Sequence, residues 1–243
     1  MTQQIKVGVL YHIFYEDIIE HIVEELSGLS KLQVTYFFNI SSTTPNQFDI
    51  KEKLREYFPG SVITISSNKG KDIGGKLLLL NACLQTDFEP DWIIFLHDKK
   101  SLHAVNAQTW KNNLLKIIAK EQVEKIVRLI LNNPDCGIIA ANNYVLTETK
   151  KAGAFVGNNG ILLSQLSEEY KINCNQYDYV AGTMFWAKAT AVFRFFKKND
   201  PLKIRQTLEE GNVLDNFTGT NTHSWERLLS WLVTSQGLNI KTV

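Results

Sequence analysis

Short apolar runs alternate with amphipathic segments through the first hundred residues of this chain. The runs are rich in β-branched and aromatic residues on both faces, which is typical of strands buried in a parallel sheet. The predicted strands are residues 5–11, 32–40, 62–65 and 91–96, and the predicted helices between them are residues 17–29, 48–58 and 74–85. This alternation predicts an α/β fold with a Rossmann-like, mostly parallel sheet flanked by helices.

The rest of the chain continues this pattern less regularly. An amphipathic pattern predicts one long helix over residues 110–131. The other predicted elements are strands at 136–141 and 179–186 and helices at 161–170, 189–196 and 222–234. No internal repeat, low-complexity tract or linker stands out in the 243 residues, so we expect a single domain over residues 1–243.

The charge balance and the amino terminus exclude several kinds of partner. Lys and Arg total 26 against 25 Asp and Glu, so we expect no nucleic-acid partner and no general attraction to anionic lipid. The first apolar run is soon interrupted by His12 and Glu16, and it is too short for a signal peptide or a transmembrane segment. We therefore expect a cytoplasmic protein. The three widely spaced cysteines suit buried, reduced thiols better than a disulfide framework.

Binding sites in open parallel sheets lie beyond the carboxyl ends of the strands. The loops that start near Tyr11, Ser66 and His97 should therefore meet at one crevice. His12 ends the first predicted strand inside that crevice. We consider it a residue that would contact a bound nucleotide sugar, the donor of a transfer reaction, with simple packing as the alternative.

Residues 66–76, SSNKGKDIGGK, lead from a predicted strand into a predicted helix. Glycines such as Gly70 let backbone N–H groups approach a diphosphate, and the start of a helix favours negative charge. Asn68 lies in the same loop, and Asp72 could accept a hydrogen bond from a ribose or sugar hydroxyl. The alternative is a surface turn in which Asp72 caps the helix.

The segment FLHDKKS places polar residues directly after an apolar strand. Two interpretations remain open. His97 and Asp98 could bind Mg²⁺ or Mn²⁺, with Asp98 as the metal ligand, because hard cations prefer oxygen ligands. Alternatively, Lys99 and Lys100 could neutralise a diphosphate without a metal, and we favour this second interpretation slightly. A merely solvated loop is less well supported, because the fold rule places this strand end in the crevice.

The segment YDYVAGTMFWAKATAV contains a Gly-Thr pair followed by bulky side chains. Gly182 and Thr183 would allow close backbone approach, and Trp186 would offer an aromatic platform for a sugar ring. The alternative is that the Met, Phe and Trp side chains are core residues, as such residues on strands usually are.

A fourth segment, FTGTNTHSWERLL, carries three polar residues near a predicted helix start. Spacings of three and four place His223 close to Glu226 and Arg227. A glycosyl transfer with inversion needs a carboxylate that takes the proton of the acceptor hydroxyl. Glu226 is our candidate for this general base, with His223 beside it and Arg227 in the sugar or acceptor pocket. The alternative is an ordinary surface ion pair.

Four of these segments, in this order, resemble the rhamnan synthesis F family of bacterial polysaccharide biosynthesis. The matching residues are Asn68, Gly70, Asp72 and Ile73, then His97 with Lys99 to Ser101, then Ala181 to Trp186, and finally His223, Glu226 and Arg227. The resemblance departs at Asp98, where the family usually has threonine, so a metal site is hard to transfer. Glycines also follow Ile73 where the family often has proline and an aromatic residue.

The resemblance implies a GT-A-type glycosyltransferase that takes its sugar from a nucleoside-diphosphate sugar. Residues 1–100 would form the nucleotide-sugar-binding half, and residues 101–243 would form the acceptor and catalytic half. The acceptor would be a growing surface polysaccharide or O-antigen, with rhamnose as one candidate sugar. A lipid-linked acceptor would bring transient contact with the inner membrane face. The alternative is a non-catalytic subunit that binds a glycan or a nucleotide sugar.

Overall fold

The computed structural model describes residues 5–16, 19–98, 112–214 and 219–243. The strands in these ranges are β1 (Lys6–Ile13), β2 (Gln33–Ser41), β3 (Val62–Ser66), β4 (Trp92–His97), β5 (Cys136–Ala140), β6 (Val145–Thr147), β7 (Lys150–Lys151), β8 (Ala154–Phe155), β9 (Asp178–Val180), β10 (Phe185–Lys188) and β11 (Asn239–Thr242). The helices are α1 (Ile19–Leu26), α2 (Gln47–Tyr57), α3 (Lys71–Leu84), α4 (Lys120–Asn132), α5 (Gly160–Glu169), α6 (Ala189–Phe196), α7 (Pro201–Thr207) and α8 (Asn221–Thr234).

Seven strands form the main sheet, in the order β11-β5-β10-β4-β1-β2-β3. The four strands β1 to β4 are parallel to their neighbours among themselves, and β11 is parallel to β5. Only β10 breaks this pattern in the main sheet, because it runs antiparallel to both β4 and β5. The predicted α/β fold with a mostly parallel sheet and flanking helices is thus confirmed.

Apolar side chains cover both faces of the sheet, which explains why its central strands lack an alternating polar pattern. All six residues of β4 are buried, and so are seven of the eight residues of β1. Helices α1, α2 and α4 pack on one face, and α3, α5, α6 and α8 pack on the other. Such double coverage is usual for parallel strands. Cys83, Cys136 and Cys174 are buried free thiols, as expected.

The predicted long helix at residues 110–131 is wrong in its central part. Residues 110 and 111 lie outside the described ranges, a 3₁₀ turn occupies Lys116–Ile118, and Ala119 has an extended backbone before α4 begins. The carbonyl of Ile117 accepts a hydrogen bond of 2.9 Å from the Trp186 indole. The Ile118 carbonyl packs so closely on Gly28 that an added Cβ there would lie 2.0 Å from it. These tertiary contacts accompany a break that the amphipathic pattern did not reveal.

The predicted strand at residues 179–186 is also two strands in the structure. β9 and β10 are separated by a turn in which Gly182 has φ 79° and Thr183 has φ 51°. A β-branched residue in the left-handed region costs of order 1–3 kcal/mol and needs support from its surroundings. Thr183 has that support, because its side chain is buried and hydrogen-bonded. The turn therefore holds two predicted site residues away from the regular sheet.

Candidate functional site

A cavity of about 310 Å³ lies at the carboxyl ends of β1 and β4 and at the amino-terminal ends of α3 and α8. This is the location that the fold rule predicts. Both helices direct the positive end of their dipole towards the cavity, which favours negative charge there. The predicted site residues that line it are His12, Asn68, Asp72, His97, Asp98, Gly182, Thr183, His223 and Glu226.

A buried lysine forms the base of this site. The Lys76 side chain has no solvent exposure, and its ammonium group donates to Asp72 Oδ2 at 2.8 Å and lies 3.0 Å from His97 Nδ1. It also donates to the Thr183 hydroxyl, which in turn donates to Asp72 Oδ2 at 2.7 Å. Four residues from three separate chain segments are therefore joined in one polar network beneath the cavity.

Opposite charges keep this network together. Burial alone would raise the pKa of Asp72, but the Lys76 ammonium group and the hydrogen bonds from Lys76 and Thr183 hold it well below its ordinary value. Burial lowers the pKa of Lys76, and Asp72 and Glu226 oppose that change. An ion pair removed from solvent is costly unless its members are also hydrogen-bonded, as they are here.

Two histidines stand side by side on adjacent strands. His12 and His97 are register partners in the β1–β4 pairing, and both are buried. His12 Nδ1 lies 2.9 Å from Asn39 Nδ2. Burial is the main reason why the pKa of His12 is lowered to about 4. His12 is therefore a neutral imidazole at neutral pH.

Asp98 supports the loop after β1. Its Oδ2 accepts the backbone N–H groups of Phe14 at 2.8 Å and of Tyr15 at 2.6 Å, and its own N–H donates to the His12 carbonyl at 3.1 Å. In the described ranges, no group of three or more His, Cys, Asp or Glu side chains could hold a metal ion. The carboxylates that line the cavity already accept bonds from lysine, hydroxyl, arginine or amide donors. The described residues therefore offer no cation site made of three or more protein ligands.

Glu226 is fixed at the other side of the cavity, in the first turns of α8. Its Oε1 accepts the Gly182 N–H at 2.8 Å, and its Oε2 accepts an Arg227 N–H at 2.9 Å. Arg227 also donates to Glu148 at 2.9 Å and lies over the Tyr179 ring. The carboxylate therefore has one set orientation. His223 lines the same cavity, with Nδ1 2.6 Å from the Thr220 hydroxyl.

Glu209 ties the starts of the two helices together. Its carboxylate accepts the N–H groups of Asn221 at 2.7 Å and Thr222 at 2.9 Å, and its backbone carbonyl accepts the Gly70 N–H at 2.7 Å. Burial would raise the pKa of this carboxyl, but the bonds from Thr222 and Asn221 outweigh it and lower the pKa. One residue thus joins the amino-terminal ends of α3 and α8.

Three predicted site residues do not line the cavity. Gly70 packs on Leu208, where an added Cβ would lie 2.2 Å from a methyl carbon, so it positions the start of α3. Arg227 lies behind Glu226. The prediction that Trp186 offers a platform for a sugar ring is wrong. Its side chain is completely buried in the core on the α4 side of the sheet. Lys99 and Lys100 lie outside the described residues.

A family model described as rhamnan synthesis protein F matches residues 1–238. The chain belongs to the rhamnan synthesis protein F family. The resemblance inferred from four short segments is therefore confirmed, and family membership connects the chain to polysaccharide synthesis.

Two curated relatives of this family member are uncharacterized proteins named WxcX, from two strains of Xanthomonas campestris pv. campestris. Each is 23% identical over 238 residues, which is 97% of this chain and 32% of the relative. The chain therefore spans about a third of the length of these relatives.

Solved structures with a similar arrangement include S. aureus TarS 1–349, at 12% identity and a TM-score of 0.46, covering 98% of this chain and 58% of TarS. The S. cerevisiae mannosyltransferase Ktr4p with GDP has 7% identity and a TM-score of 0.40, and the match covers 96% of this chain and 68% of Ktr4p. The mannosyltransferase PcManGT from Pyrobaculum calidifontis, with GDP-Man and Mn²⁺, has 12% identity and a TM-score of 0.40. That match covers 97% of this chain and 64% of PcManGT. These similarities are distant, with TM-scores below 0.5.

Sequence reasoning missed Lys76 and Glu209. Lys76 was within the ligand loop, but its helical position gave no sign that it would be fully buried. The signal was available in principle, because a lysine four residues after Asp72 on one helix face can pair with it. Glu209 follows a short helix, α7, that the sequence analysis did not predict, so no pattern pointed to its capping role.

Proposed function

We propose that the chain is a glycosyltransferase that moves a sugar from a nucleoside-diphosphate sugar to a hydroxyl group of a growing surface polysaccharide or O-antigen. The observation that carries this proposal is the convergence of two helix amino termini and the oriented Glu226 carboxylate on one cavity. An anionic donor suits the first feature, and an acceptor hydroxyl suits the second. Rhamnose is the first sugar to test, because of the family.

The two sides of the cavity are formed by different parts of the chain, and we assign them different ligands. Residues 1–100 contribute His12, Asn68, Asp72 and His97, and we assign the nucleoside diphosphate to this side. Asn68 Oδ1 is shielded from solvent and accepts no hydrogen bond from the described residues, so it can serve a ligand donor group. Residues 101–243 contribute the turn before β10 and the start of α8, which we assign to the sugar and the acceptor.

The proposed reaction inverts the anomeric carbon in one displacement. Glu226 takes the proton of the acceptor hydroxyl while that oxygen forms a bond to the anomeric carbon. The bond between the anomeric carbon and the diphosphate oxygen breaks, and its electron pair leaves with the nucleoside diphosphate. Gly182 and Arg227 hold the carboxylate in place. A group fixed in this way avoids the entropic cost of orientation during the reaction.

The surroundings of such a reaction follow from the acceptor. We propose a cytoplasmic location, with a lipid-linked acceptor met at the inner face of the membrane. In the part of the chain that the structure describes, no helix has the length and apolar character needed to cross a bilayer. We propose that contact with the membrane is peripheral.

The test compares two glutamates that contact the same arginine. Glu226→Gln removes the base, and we expect turnover to fall by about 100-fold or more while donor binding is retained. Glu148→Gln is the matched control, since Glu148 also binds Arg227 but does not line the cavity. Binding is followed by thermal shift with dTDP-, UDP- and GDP-sugars, with Mn²⁺ or with EDTA, because a specific ligand raises the apparent stability. Equal turnover in both variants would contradict the assignment of the base.

A binding subunit without catalytic activity is the second candidate function. It is favoured by one observation: both Glu226 oxygens already accept hydrogen bonds, as in a purely structural carboxylate. A donor-dependent thermal shift without any transfer to a polysaccharide acceptor would support this function. Transfer that is lost in Glu226→Gln would exclude it. Donor binding in EDTA would favour neutralisation of the diphosphate by Lys99 and Lys100, whereas binding that needs Mn²⁺ would favour a metal ion at Asp98.

A further inference from the structure

The protonation of His97 follows from its neighbour Lys76. A lysine ammonium group has three donors and no acceptor. Because Lys76 Nζ lies 3.0 Å from His97 Nδ1, that nitrogen must act as the acceptor. The proton of a neutral His97 ring is then on Nε2. In an imidazole the two nitrogens lie on different edges of the ring, so Nε2–H is directed away from the lysine.

The protonation of His12 follows from Asn39 in the same way. Asn39 Oδ1 accepts the Thr64 hydroxyl at 2.9 Å, which orients the amide so that Nδ2 donates to His12 Nδ1 at 2.9 Å. The ring cannot rotate freely, since it packs against Gly75, where an added Cβ would lie 2.3 Å from Nδ1. His12 is therefore also an Nε2–H tautomer.

We propose that Lys76 and Asn39 are positioning residues that hold His97 and His12 as two adjacent Nε2–H donors for the diphosphate group of the sugar donor. The two rings are register partners on neighbouring strands, on the α3 side of the sheet, and both line the cavity. An oxygen-rich anion at the start of α3 can accept from both. This assignment rests on the proposed function for the identity of the anion.

Such a pair would also contribute to the reaction itself. Negative charge grows on the diphosphate as its bond to the anomeric carbon breaks. Donors that are already oriented towards that charge stabilise the transition state without reorganisation. Because the two tautomers are set by buried partners, they need no metal ion or solvent to arrange them.

Two substitutions of His97 separate this role from a structural one. The amide nitrogen of Gln can take the position of Nε2, whereas the amide of Asn can take only the position of Nδ1. If His97 Nε2–H donates a hydrogen bond to the diphosphate, His97→Gln should keep the affinity for free dTDP, UDP or GDP within about tenfold of the native chain. His97→Asn should then lose at least about tenfold more affinity than His97→Gln. A structural role predicts the opposite order, since Asn can still accept from Lys76. Equal or better binding by His97→Asn overturns the proposal.

A spectroscopic test examines the tautomers without any donor. The chain has five histidines, so ¹⁵N-histidine labelling gives few signals, and His97→Gln and His12→Gln assign the two of interest. We expect the Nε2–H tautomer for the neutral form of both rings. In Lys76→Met the His97 signals should change to a mixture of tautomers. Thr183→Val is the control, because it removes another bond of Lys76 and should leave His97 unchanged.

The outcomes distinguish this inference from the proposed function. Nδ1–H signals for either histidine, or an unchanged His97 in a folded Lys76→Met variant, overturn the inference even if sugar transfer is observed. If Lys76→Met does not fold, the His97→Gln and His97→Asn comparison decides by itself. The expected tautomers and binding order without any sugar transfer support the inference and contradict the proposed function.

Discussion

Lys76→Met removes one charge from a buried ion pair and changes the side-chain volume little. Asp72 then keeps the hydrogen bond from the Thr183 hydroxyl but loses the hydrogen bond and the opposite charge of the Lys76 ammonium group. Breaking a buried pair by removing one partner typically costs about 3–5 kcal/mol. The Asp72 side chain is 24% exposed, so solvent can offset part of this cost. We therefore expect a loss near the lower end, about 3 kcal/mol of the free energy of unfolding at pH 7.

The pH dependence of this loss gives a sharper criterion. In the native chain the pKa of Asp72 is lowered, so its contribution to stability is present above the ordinary aspartate range and is lost in acid. Without Lys76, burial dominates and the pKa of Asp72 should rise. A raised pKa gives stability that is present in acid and is lost as the pH increases. The variant should therefore recover part of its deficit between pH 7 and pH 4.

The assay is urea denaturation followed by tryptophan fluorescence, with Lys76→Met and Lys76→Met/Asp72→Asn compared at several pH values. The double variant removes both charges, and we expect it to regain more than half of the lost stability, with little of the pH dependence. A loss of under about 1 kcal/mol in the single variant, with no recovery in the double variant, would refute the argument from a buried ion pair.

Two further predictions concern His12 and Gly28. The pKa of His12 is lowered to about 4 because the ring is buried, so the unfolded chain binds its proton more readily. Acidification from pH 7 to pH 5 should therefore cost about 2 kcal/mol through this group, and urea denaturation of His12→Gln should lack that component. Gly28→Ala should destabilise the chain by about 1–3 kcal/mol, because its Cβ would lie 2.0 Å from the Ile118 carbonyl. Gly8→Ala is the control, since its nearest neighbours lie at 3.7 Å, and equal melting temperatures for the two would contradict the packing argument.

Much of the frame could be predicted from local pattern. Strands β1 to β4 and helix α6 agree with the predicted ranges to within about two residues, since each has a strong apolar periodicity and clear ends. Elements with few residues or little pattern were missed, among them β11 and α7. β11 exists because it pairs with β5, a partner about a hundred residues away in the sequence. No local signal encodes such a pairing.

The site was predicted in outline because the fold rule places strand ends together. His12, Asp72, His97 and Glu226 meet at one cavity, as expected from their positions after strands or at helix starts. The direction of a side chain within an element was harder to predict. Trp186 lies on the α4 side of the sheet because successive residues of β10 point to opposite faces, and nothing in the local sequence decides which face each residue takes.

The antiparallel direction of β10 affects how the cavity can change. Each parallel strand places the residues that follow it at the end of the sheet where the cavity lies. Extra residues inserted after such a strand would displace the next helix. β10 instead brings the residues that precede it, and the turn at 181–184 is held between β9, which pairs with β6, and β10, which pairs with β4 and β5. Insertions in this turn would reshape the cavity wall, and they would also move Gly182 away from Glu226 and Thr183 away from Asp72. The turn therefore links the shape of the cavity to the orientation of the proposed base and to the buried ion pair.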